Sequence, residues 1–315
     1  MYVDDLLISG NNRDNIYALI SKLQLQFSLK ELGTISFFLG IQVLHKPTGY
    51  FLHQAQYTQD ILQSAGLKDC KPSQTPIALK PSSNNNNFLN SDSKLYGQIA
   101  GSLQYLTITR PDIAYATNMI CQHMHNPTEQ DFTALKRLLR YIRGTYQFGL
   151  PITRGNLQLT SFSDSDWASD SNDRKSISGF CTYMGDTLVS WCVKKQATVA
   201  KSSTEAEYRA LASTTSDVIW LRRLLTDFEA ASSTPTTLLC DNTSALTLAN
   251  NPVFHARMKH IETDYHFIRE RILSKEITVH HINSVDQPAD ILTKPLGLAR
   301  LKMLRDKLTI QPLEP

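Results

Sequence analysis

Four acidic residues in the second half of the chain have the type and spacing that metal-dependent chemistry requires. Asp164 and Asp241 each stand at the end of a predicted strand. Glu207 lies in the first turns of a long predicted helix, and Asp290 lies at the start of the last one. Because sites in α/β sheets form beyond the carboxyl ends of strands, the two aspartates meet if their strands are neighbours. The two helix starts can then bring Glu207 and Asp290 to them.

A cluster of carboxylates is unfavourable unless a cation neutralises it. Carboxylate oxygens without Cys or His ligands are the donors that Mg²⁺ and Mn²⁺ prefer. Two such ions about 3.5–4 Å apart can activate a water molecule and stabilise the leaving oxygen of a phosphodiester. The four acids therefore predict a two-ion site for phosphodiester hydrolysis.

Each of these positions also allows a structural interpretation. The sequence TEAE is typical of a helix capping box, which by itself accounts for Glu207. Asp241 could cap the helix that follows it, and Asp290 could complement a helix dipole. If the placement is wrong by two residues, Glu205 and Asp166 take over the proposed roles.

The predicted elements around these acids form an α/β unit. Apolar periodicity predicts three consecutive strands joined as a meander, followed by a long amphipathic helix. In chain order the elements are strands 157–163, 177–184 and 187–193, a helix at 204–228, a strand at 237–240, a helix near 244, a helix at 260–273, a strand at 277–282 and a last helix from 289. This order is typical of a mixed sheet with flanking helices.

The first half of the chain has a different order of predicted helices and strands. Its predicted elements are a strand–turn–strand at 2–8, a helix at 11–27, strands at 37–43 and 50–52, and helices at 57–65, 95–106, 111–123 and 129–144. A stretch rich in Pro, Ser and Asn without apolar periodicity predicts a linker. We therefore predict units at 1–71 and 94–150, separated by a linker at 72–93 and followed by an α/β domain at 151–310.

Composition narrows the class of protein. The 315 residues include 32 Lys and Arg against 29 Asp and Glu, and the net charge of +3 alone does not predict a nucleic-acid partner. The five widely spaced cysteines contain no CxxC pair, which argues against a disulfide scaffold or zinc site and favours a reducing compartment. Without a signal peptide or an apolar run of about 20 residues, the chain is expected to be intracellular, with no membrane partner.

Five motifs across residues 157–296 resemble the ribonuclease H signature of copia-type retrotransposons. They are FSDSDWAS at 162–169, STEAEYRA at 203–210, CDN at 240–242, KHI at 259–261 with DYH at 264–266, and QPADILTK at 287–294. In the first half, YVDD at 2–5, FLGI at 38–41 and TRPDI at 109–113 resemble the end of the reverse transcriptase in the same elements. The chain thus resembles the C-terminal part of a copia-type retrotransposon polyprotein.

The resemblance implies a fold and an activity. The expected fold is a ribonuclease H-like mixed five-stranded sheet with flanking helices, preceded by a truncated α+β polymerase palm remnant and a small helical subdomain. The four acids would be the catalytic, metal-binding residues, holding two Mg²⁺ or Mn²⁺ ions, and the substrate would be the RNA strand of an RNA–DNA hybrid. A histidine ahead of the last acid would assist product release; His281 or His280 could fill that role.

Two sets of basic residues could contact the phosphates of such a hybrid. Helical spacing gathers one set on a single side of the predicted helix at 129–144, and the other follows the third strand of the meander. The sets are Lys136, Arg137, Arg140 and Arg143, and Lys194, Lys195 and Lys201. Phosphate contacts would give a salt-dependent affinity that does not depend on sequence. A solvated charged face is the alternative interpretation.

The polymerase resemblance is incomplete. Asp4 and Asp5 match the paired acids of the reverse transcriptase hairpin, as a vestigial metal site. A third metal-binding acid and the nucleotide pocket belong upstream of that hairpin, so we expect no DNA synthesis from this sequence. A catalytically inactive, nucleic-acid-binding remnant is the alternative to an enzyme. Expected partners are the upstream polymerase part or other retroelement proteins, in cytoplasmic virus-like particles or the nucleus.

Overall fold

The computed structural model describes residues 5–79, 92–251 and 261–313. Within these ranges the helices are α1 (Arg13–Gln24), α2 (Ala55–Ser64), α3 (Ser93–Leu106), α4 (Ala114–Cys121), α5 (Glu129–Gly144), α6 (Ser203–Asp227), α7 (Thr243–Asn250), α8 (Glu262–Leu273) and α9 (Leu298–Lys307). The strands are β1 (Phe37–Phe38), β2 (Ile41–Lys46), β3 (Gly49–His53), β4 (Phe148–Thr153), β5 (Leu159–Asp166), β6 (Ile177–Met184), β7 (Thr187–Lys195), β8 (Thr236–Cys240), β9 (Ile277–His281) and β10 (Gln311–Pro312).

The predicted ribonuclease H-like sheet is confirmed. Its five strands have the order β7-β6-β5-β8-β9. The meander β5-β6-β7 is antiparallel, whereas β8 runs parallel to β5, with Thr237 opposite Thr160. Strand β9 is parallel to β8. The carboxyl ends of β5 and β8 therefore lie side by side, as the predicted site requires.

Helices cover both faces of this sheet. On one face the 25-residue α6 buries Tyr208, Leu211 and Val218 against α7, α8 and the strands β8 and β9. On the other face, residues of the C-terminal segment such as Leu292 and Leu301 pack with α3, α4 and α5. Each fully buried Leu or Val contributes about 1.5–3 kcal/mol, so these two layers hold the sheet between them.

A second sheet joins distant parts of the chain. Its strands are antiparallel in the order β1-β2-β3-β4-β10, so β4 and β10 complete a sheet whose first three strands come much earlier in the chain. Neither of these two strands was predicted. Pro151 interrupts the strand pattern of β4, and β10 has only two residues, so both depend on the partner strand for their conformation.

Apolar side chains from all three predicted units share one cluster. Leu62 of α2, Leu103 of α3 and Leu139 of α5 pack in the same core as Cys181 of β6. The indole N–H of Trp191 on β7 also donates to the backbone carbonyl of Thr107 at 3.1 Å. The helical unit thus packs directly on β6 and β7 of the ribonuclease H-like sheet, and the domain boundaries at 71, 93 and 150 stay predictions.

The ends of the chain differ from the prediction. Residues 5–10 form no strand, so the predicted hairpin at 2–8 is wrong for the residues that the structure describes. The predicted last helix is a short 3₁₀ turn, Pro288–Leu292, followed by the separate helix α9. Pro295 explains the break, because it disfavours helical backbone at the residue before it and lacks an N–H donor.

A buried ion pair ties the turn before α4 to α5. The Arg110 guanidinium donates to both carboxylate oxygens of Asp112 at 2.8 Å and to the Thr145 carbonyl at 2.7 Å. The Tyr141 hydroxyl donates to the same carboxylate at 2.8 Å. Arg110 is only 1% exposed and Asp112 2%, so each charge depends on the other for its compensation.

In the part of the chain that the structure describes, no helix combines the length and the apolar character that a bilayer crossing needs.

Candidate active site

Asp164 and Glu207 approach each other from a strand and a helix. Asp164 lies on β5 and is 2% exposed. The backbone N–H of Ser165, the next residue, donates to Oε1 of Glu207 at 3.2 Å. This bond holds the second turn of α6 against the end of β5. The structure thus places Glu207 beside Asp164.

Glu205 has a different environment on the same helix. Its carboxylate accepts from the Lys201 backbone N–H at 2.8 Å and from the Arg209 guanidinium at 2.6 Å. The Ser202 hydroxyl caps the helix by accepting from the Glu205 N–H. Glu205 therefore stabilises the start of α6, and the capping alternative considered for Glu207 applies to Glu205 instead.

Asp241 joins the cluster from the neighbouring strand. It follows directly on β8, and one ligand atom from each of Glu207, Cys240 and Asp241 lies within 4.8 Å of the others. The Cys240 thiol donates to Oε2 of Glu207 at 3.6 Å, and the Ser284 hydroxyl donates to Oδ2 of Asp241 at 2.6 Å. Both carboxylates are thereby oriented by neutral donors.

Asp290 reaches the cluster from the 3₁₀ turn Pro288–Leu292. Lys294 connects it to β5, because Nζ lies 2.9 Å from Oδ1 of Asp290 and 3.3 Å from Oδ2 of Asp164. The Thr293 hydroxyl donates to Asp164, and the Arg300 guanidinium lies 2.9 Å from Oδ2 of Asp290. All four predicted acids thus converge at one edge of the sheet.

The roles of Lys294 and Arg300 were not predicted from the sequence. Lys294 stands four residues after Asp290, which is the spacing at which an ion pair forms across one helical turn. That spacing was the available signal. Arg300 comes from α9, a helix that was not predicted, and the sequence held no comparable signal for it.

Gly179 lets the turn approach the sheet. It lies opposite Asp164 on β6. A Cβ at this position would stand 2.8 Å from the Leu292 Cβ, 2.8 Å from the Thr293 Cγ2 and 3.2 Å from the Leu292 carbonyl carbon. These distances are too short for carbon atoms, so only glycine permits this contact beside Asp164.

Burial and crowding raise the pKa values of the carboxyl groups. Burial, reinforced by the nearby charges of Asp164 and Asp241, raises the pKa of Glu207 to about 9. Burial also raises the pKa of Asp164 to about 6; Lys294 opposes this shift, while Asp290 and Asp241 add to it. Excess negative charge in a buried, oxygen-rich cluster is the environment that a divalent cation relieves.

Asp166 and the two histidines lie at the margin of this cluster. Asp166 ends β5, and burial raises the pKa of its carboxyl, which Lys294 opposes. His281 is the register partner of Cys240, and His280 that of Leu239; both histidines are exposed. The register puts His281 beside the strand end that carries Asp241, and its role in product release stays a prediction.

The predicted basic face of α5 holds another part of the chain. Arg137 donates to the Thr75 hydroxyl at 2.7 Å, Arg140 to the Lys71 carbonyl at 2.7 Å and Arg143 to the Lys68 carbonyl at 2.6 Å. These arginines thus fasten residues 68–75, which span the end of the predicted unit 1–71 and the start of the predicted linker, onto α5. Residues 80–91 of that linker lie outside the described residues. Phosphate binding by the arginines stays a prediction.

The predicted lysines divide into two groups. Lys195 is half-buried and forms ion pairs with Asp170 and with Asp173, the latter at 3.0 Å. Lys136, Lys194 and Lys201 are exposed. Nucleic-acid binding by any of the four stays a prediction, and the exposed three are better placed for phosphate contacts.

Of the two predicted polymerase acids, only Asp5 belongs to the described residues, and it is not part of this cluster. Asp5 is exposed in a stretch without strand pairing. Asp4 lies outside the described residues, as do Lys259 and His260 of the KHI motif. The vestigial polymerase site therefore stays a prediction.

Comparison with known proteins identifies the family. A sequence model of the family described as "Reverse transcriptase (RNA-dependent DNA polymerase)" matches residues 1–79. The whole chain is 43% identical over 321 residues to the retrovirus-related Pol polyprotein from transposon RE1 of Arabidopsis thaliana. The chain belongs to the copia-type Pol polyprotein family. A tobacco relative, the Pol polyprotein from transposon TNT 1-94, is 34% identical over 97% of the chain.

This copia-type Pol chain spans only 22% of the Arabidopsis polyprotein and 24% of the tobacco one. Among solved structures it is similar to LC11-RNase H1 in complex with RNA/DNA hybrid, with 13% identity, a TM-score of 0.34, and coverage of 43% of this chain and 94% of the other. It is also similar to the foamy viral protease-reverse transcriptase in complex with dsDNA, with 12% identity, a TM-score of 0.41, and coverage of 79% and 44%.

The raised pKa values predict that the metal-free Pol chain loses stability as the pH rises. Folded Glu207 keeps its proton up to about pH 9, whereas its ordinary value is 4.5. Protonation therefore favours the folded state, and this contribution is complete below about pH 4.5 and lost as the pH rises towards 9. Asp164 adds a smaller contribution that is lost between 3.8 and about 6.

Thermal unfolding in EDTA across this pH range measures the effect. We expect the melting temperature of the wild type to fall with pH, and Glu207→Gln to flatten the slope because glutamine does not titrate. Glu262→Gln, at an exposed position on α8, is the matched control and should keep the wild-type slope. Identical slopes for wild type and Glu207→Gln would contradict the prediction.

Proposed function

We propose that this chain is a metal-dependent endonuclease that hydrolyses the RNA strand of RNA–DNA hybrids. The convergence of Asp164, Glu207, Asp241 and Asp290 in one cluster carries the proposal. They come from β5, from α6, from the end of β8 and from the turn before α9. Bringing four like charges together opposes folding, so the arrangement is expected to serve a cation.

The donor set fits Mg²⁺ or Mn²⁺. The four acids supply oxygen atoms only, and these are the ligands that both ions prefer. Two bound ions would supply an activated water molecule and stabilisation of the leaving oxygen in phosphodiester hydrolysis.

The chain's own residues orient the ligands. The Ser165 N–H and the Cys240 thiol fix the Glu207 carboxylate. The Thr293 hydroxyl fixes Asp164, and the Ser284 hydroxyl fixes Asp241. Such outer contacts decide whether each carboxylate presents an oxygen in the right direction, and their loss typically costs about 10–100-fold in metal affinity or activity.

Family membership supports the choice of substrate. An RNA-dependent DNA polymerase copies RNA into DNA, so its product is a hybrid whose RNA strand has to be removed. The exposed Lys136, Lys194 and Lys201 would contact its phosphates, which predicts binding that weakens with added salt. Contacts to the 2′-hydroxyls would distinguish the RNA strand from the DNA strand.

Cleavage of a labelled RNA–DNA hybrid tests the proposal, with Asp241→Asn as the decisive variant. We expect the RNA strand to be cut in Mg²⁺, no cleavage in EDTA, and a rate reduced at least about 100-fold in the variant because an ion loses a charged ligand. Asp286→Asn, at an exposed acid paired with Lys307, is the matched control and should cleave normally.

Two outcomes would refute the enzyme. A folded chain that binds the hybrid without cutting it would leave the inactive nucleic-acid-binding remnant as the function. Cleavage that is equal in Asp241→Asn and wild type would place the activity elsewhere in the chain.

A further inference from the structure

Lys294 extends its side chain into the carboxylate cluster. Its ammonium lies between Asp164 and Asp290, 3.3 Å from one carboxylate and 2.9 Å from the other. These two acid side chains are 2% and 11% exposed, whereas the lysine side chain is 34% exposed. The ammonium therefore neutralises buried charge while its stem keeps a route to solvent.

The backbone directs the lysine into this position. The N–H groups of both Thr293 and Lys294 donate to the Asp290 carbonyl at 3.2 Å, so the chain makes one further turn after the 3₁₀ segment. This turn returns Lys294 over Asp290. Pro295 then ends the turn, and Gly179 lets the whole segment lie against β6 beside Asp164.

The other half of the cluster has no comparable contact among the described residues. The donors that touch Glu207 and Asp241 are a backbone N–H, a thiol and a hydroxyl, from Ser165, Cys240 and Ser284. These donors orient the carboxylates without cancelling their charge. Glu207 and Asp241 thus contact neutral donors, whereas Asp164 and Asp290 contact cationic side chains: Lys294 touches both, and Arg300 touches Asp290.

We propose that Lys294 is a displaceable counter-cation of the metal site. It occupies the space between Asp164 and Asp290 in the metal-free chain, and a divalent ion binds those two carboxylates only after the ammonium withdraws. This inference rests on the proposed function, because it takes both acids as metal ligands. It makes the two metal positions unequal: the Glu207–Asp241 position fills first, and the Asp164–Asp290 position fills only at higher metal concentration.

Simple electrostatics supports the exchange. A divalent ion carries twice the charge of the ammonium and approaches carboxylate oxygens to about 2.0–2.1 Å in the case of Mg²⁺. The ammonium is a point charge on a flexible four-carbon stem, so it can leave without moving the backbone. Arg300 is held differently, since its guanidinium also donates to the carbonyls of Ser284 and Val285. It stays in place as the permanent partner of Asp290.

Calorimetric titration of Mn²⁺ into the full chain, without nucleic acid, tests the proposal. We expect the wild type to bind one ion tightly and a second more weakly. Lys294→Met and Lys294→Gln should tighten the second step by about tenfold or more, because the competing charge is gone. Lys294→Arg keeps that charge and should tighten it far less. Lys307→Met removes one positive charge from an ion pair with Asp286 and is expected to match the wild type.

Thermal unfolding supplies an independent measurement. In EDTA, Lys294→Met and Lys294→Gln should melt below the wild type, because Asp164 and Asp290 lose their counter-ion. Saturating Mn²⁺ should stabilise these variants more than it stabilises the wild type. Stabilisation of both neutral variants by Mn²⁺ would show that they are folded. A changed Mn²⁺ affinity then reports on metal binding and not on a failure to fold.

Two results would overturn the proposal. Either the Mn²⁺ affinities of Lys294→Met and Lys294→Gln equal those of the wild type, or both variants bind the second ion more weakly. Hybrid cleavage combined with either result would refute the displacement of Lys294 by metal and would still support the proposed nuclease activity. Lys294-dependent Mn²⁺ binding in a chain that never cuts the hybrid would refute the nuclease and support the exchange. Absence of Mn²⁺ binding in every variant would refute both.

Discussion

Replacing Asp112 with alanine is expected to lower the free energy of unfolding by about 3–5 kcal/mol. The change leaves the Arg110 guanidinium buried without a counter-charge and deprives the Tyr141 hydroxyl of its acceptor. Because this network joins the turn before α4 to α5, its loss weakens the layer that packs on the ribonuclease H-like sheet. Urea denaturation followed by circular dichroism measures the difference.

Two controls separate the buried charge from other effects of this substitution. The double replacement Arg110→Met with Asp112→Leu removes both charges, and we expect it to recover most of the lost stability. Asp286→Ala breaks an ion pair at the surface and should change stability little, because solvent replaces the interaction. If Asp112→Ala and Asp286→Ala destabilise the protein equally, the buried pair does not have the importance that its geometry indicates.

Gly179→Ala is expected to reduce hybrid cleavage by about 100-fold, because a misplacement of about 1 Å at a catalytic site costs that much. The added methyl group would press on Leu292 and Thr293 and push away the turn that carries Asp290 and Lys294. The cost in stability should be smaller, about 1–3 kcal/mol, as is typical of overpacking. Initial cleavage rates and Mn²⁺ titration measure the loss at the site itself.

Gly155→Ala is the matched control for this substitution. Among the described residues, no heavy atom beyond Gly155 and its two chain neighbours lies within 4 Å of the position that a Cβ would take there, so alanine should leave both cleavage and metal binding unchanged. Wild-type cleavage by Gly179→Ala would show that the turn can move without disturbing the carboxylates, and would contradict the role given to this glycine.

Local sequence patterns determined most of the elements around the site. The predicted bounds of β6 and α5 match the structure, because a short, mostly buried strand and a capped amphipathic helix are encoded within a few residues. Asp164 and Asp241 were placed at strand ends on the same grounds. The motifs that resemble copia-type ribonuclease H named all four acids, and the structure brings them together.

Contacts between distant residues were decided only by the tertiary structure. Strands β4 and β10 are too short and irregular to predict. They form because β4 pairs with β3 and β10 in turn pairs with β4. In sequence the arginines of α5 indicate either phosphate contacts or a solvated face, yet they hold residues 68–75 through two backbone carbonyls and the Thr75 hydroxyl, which carry no sequence signature.

At the site, too, some features follow from the sequence and others only from the tertiary structure. The sequence by itself determined which residues are acidic, on which elements they lie and which ions they suit, since these properties follow from side-chain chemistry and local periodicity. Only the tertiary structure decided that Glu207 rather than Glu205 faces Asp164, and that Lys294 enters the cluster. Both outcomes depend on how closely α6 and the turn before α9 pack on the sheet, and that distance is set by side chains far apart in the chain.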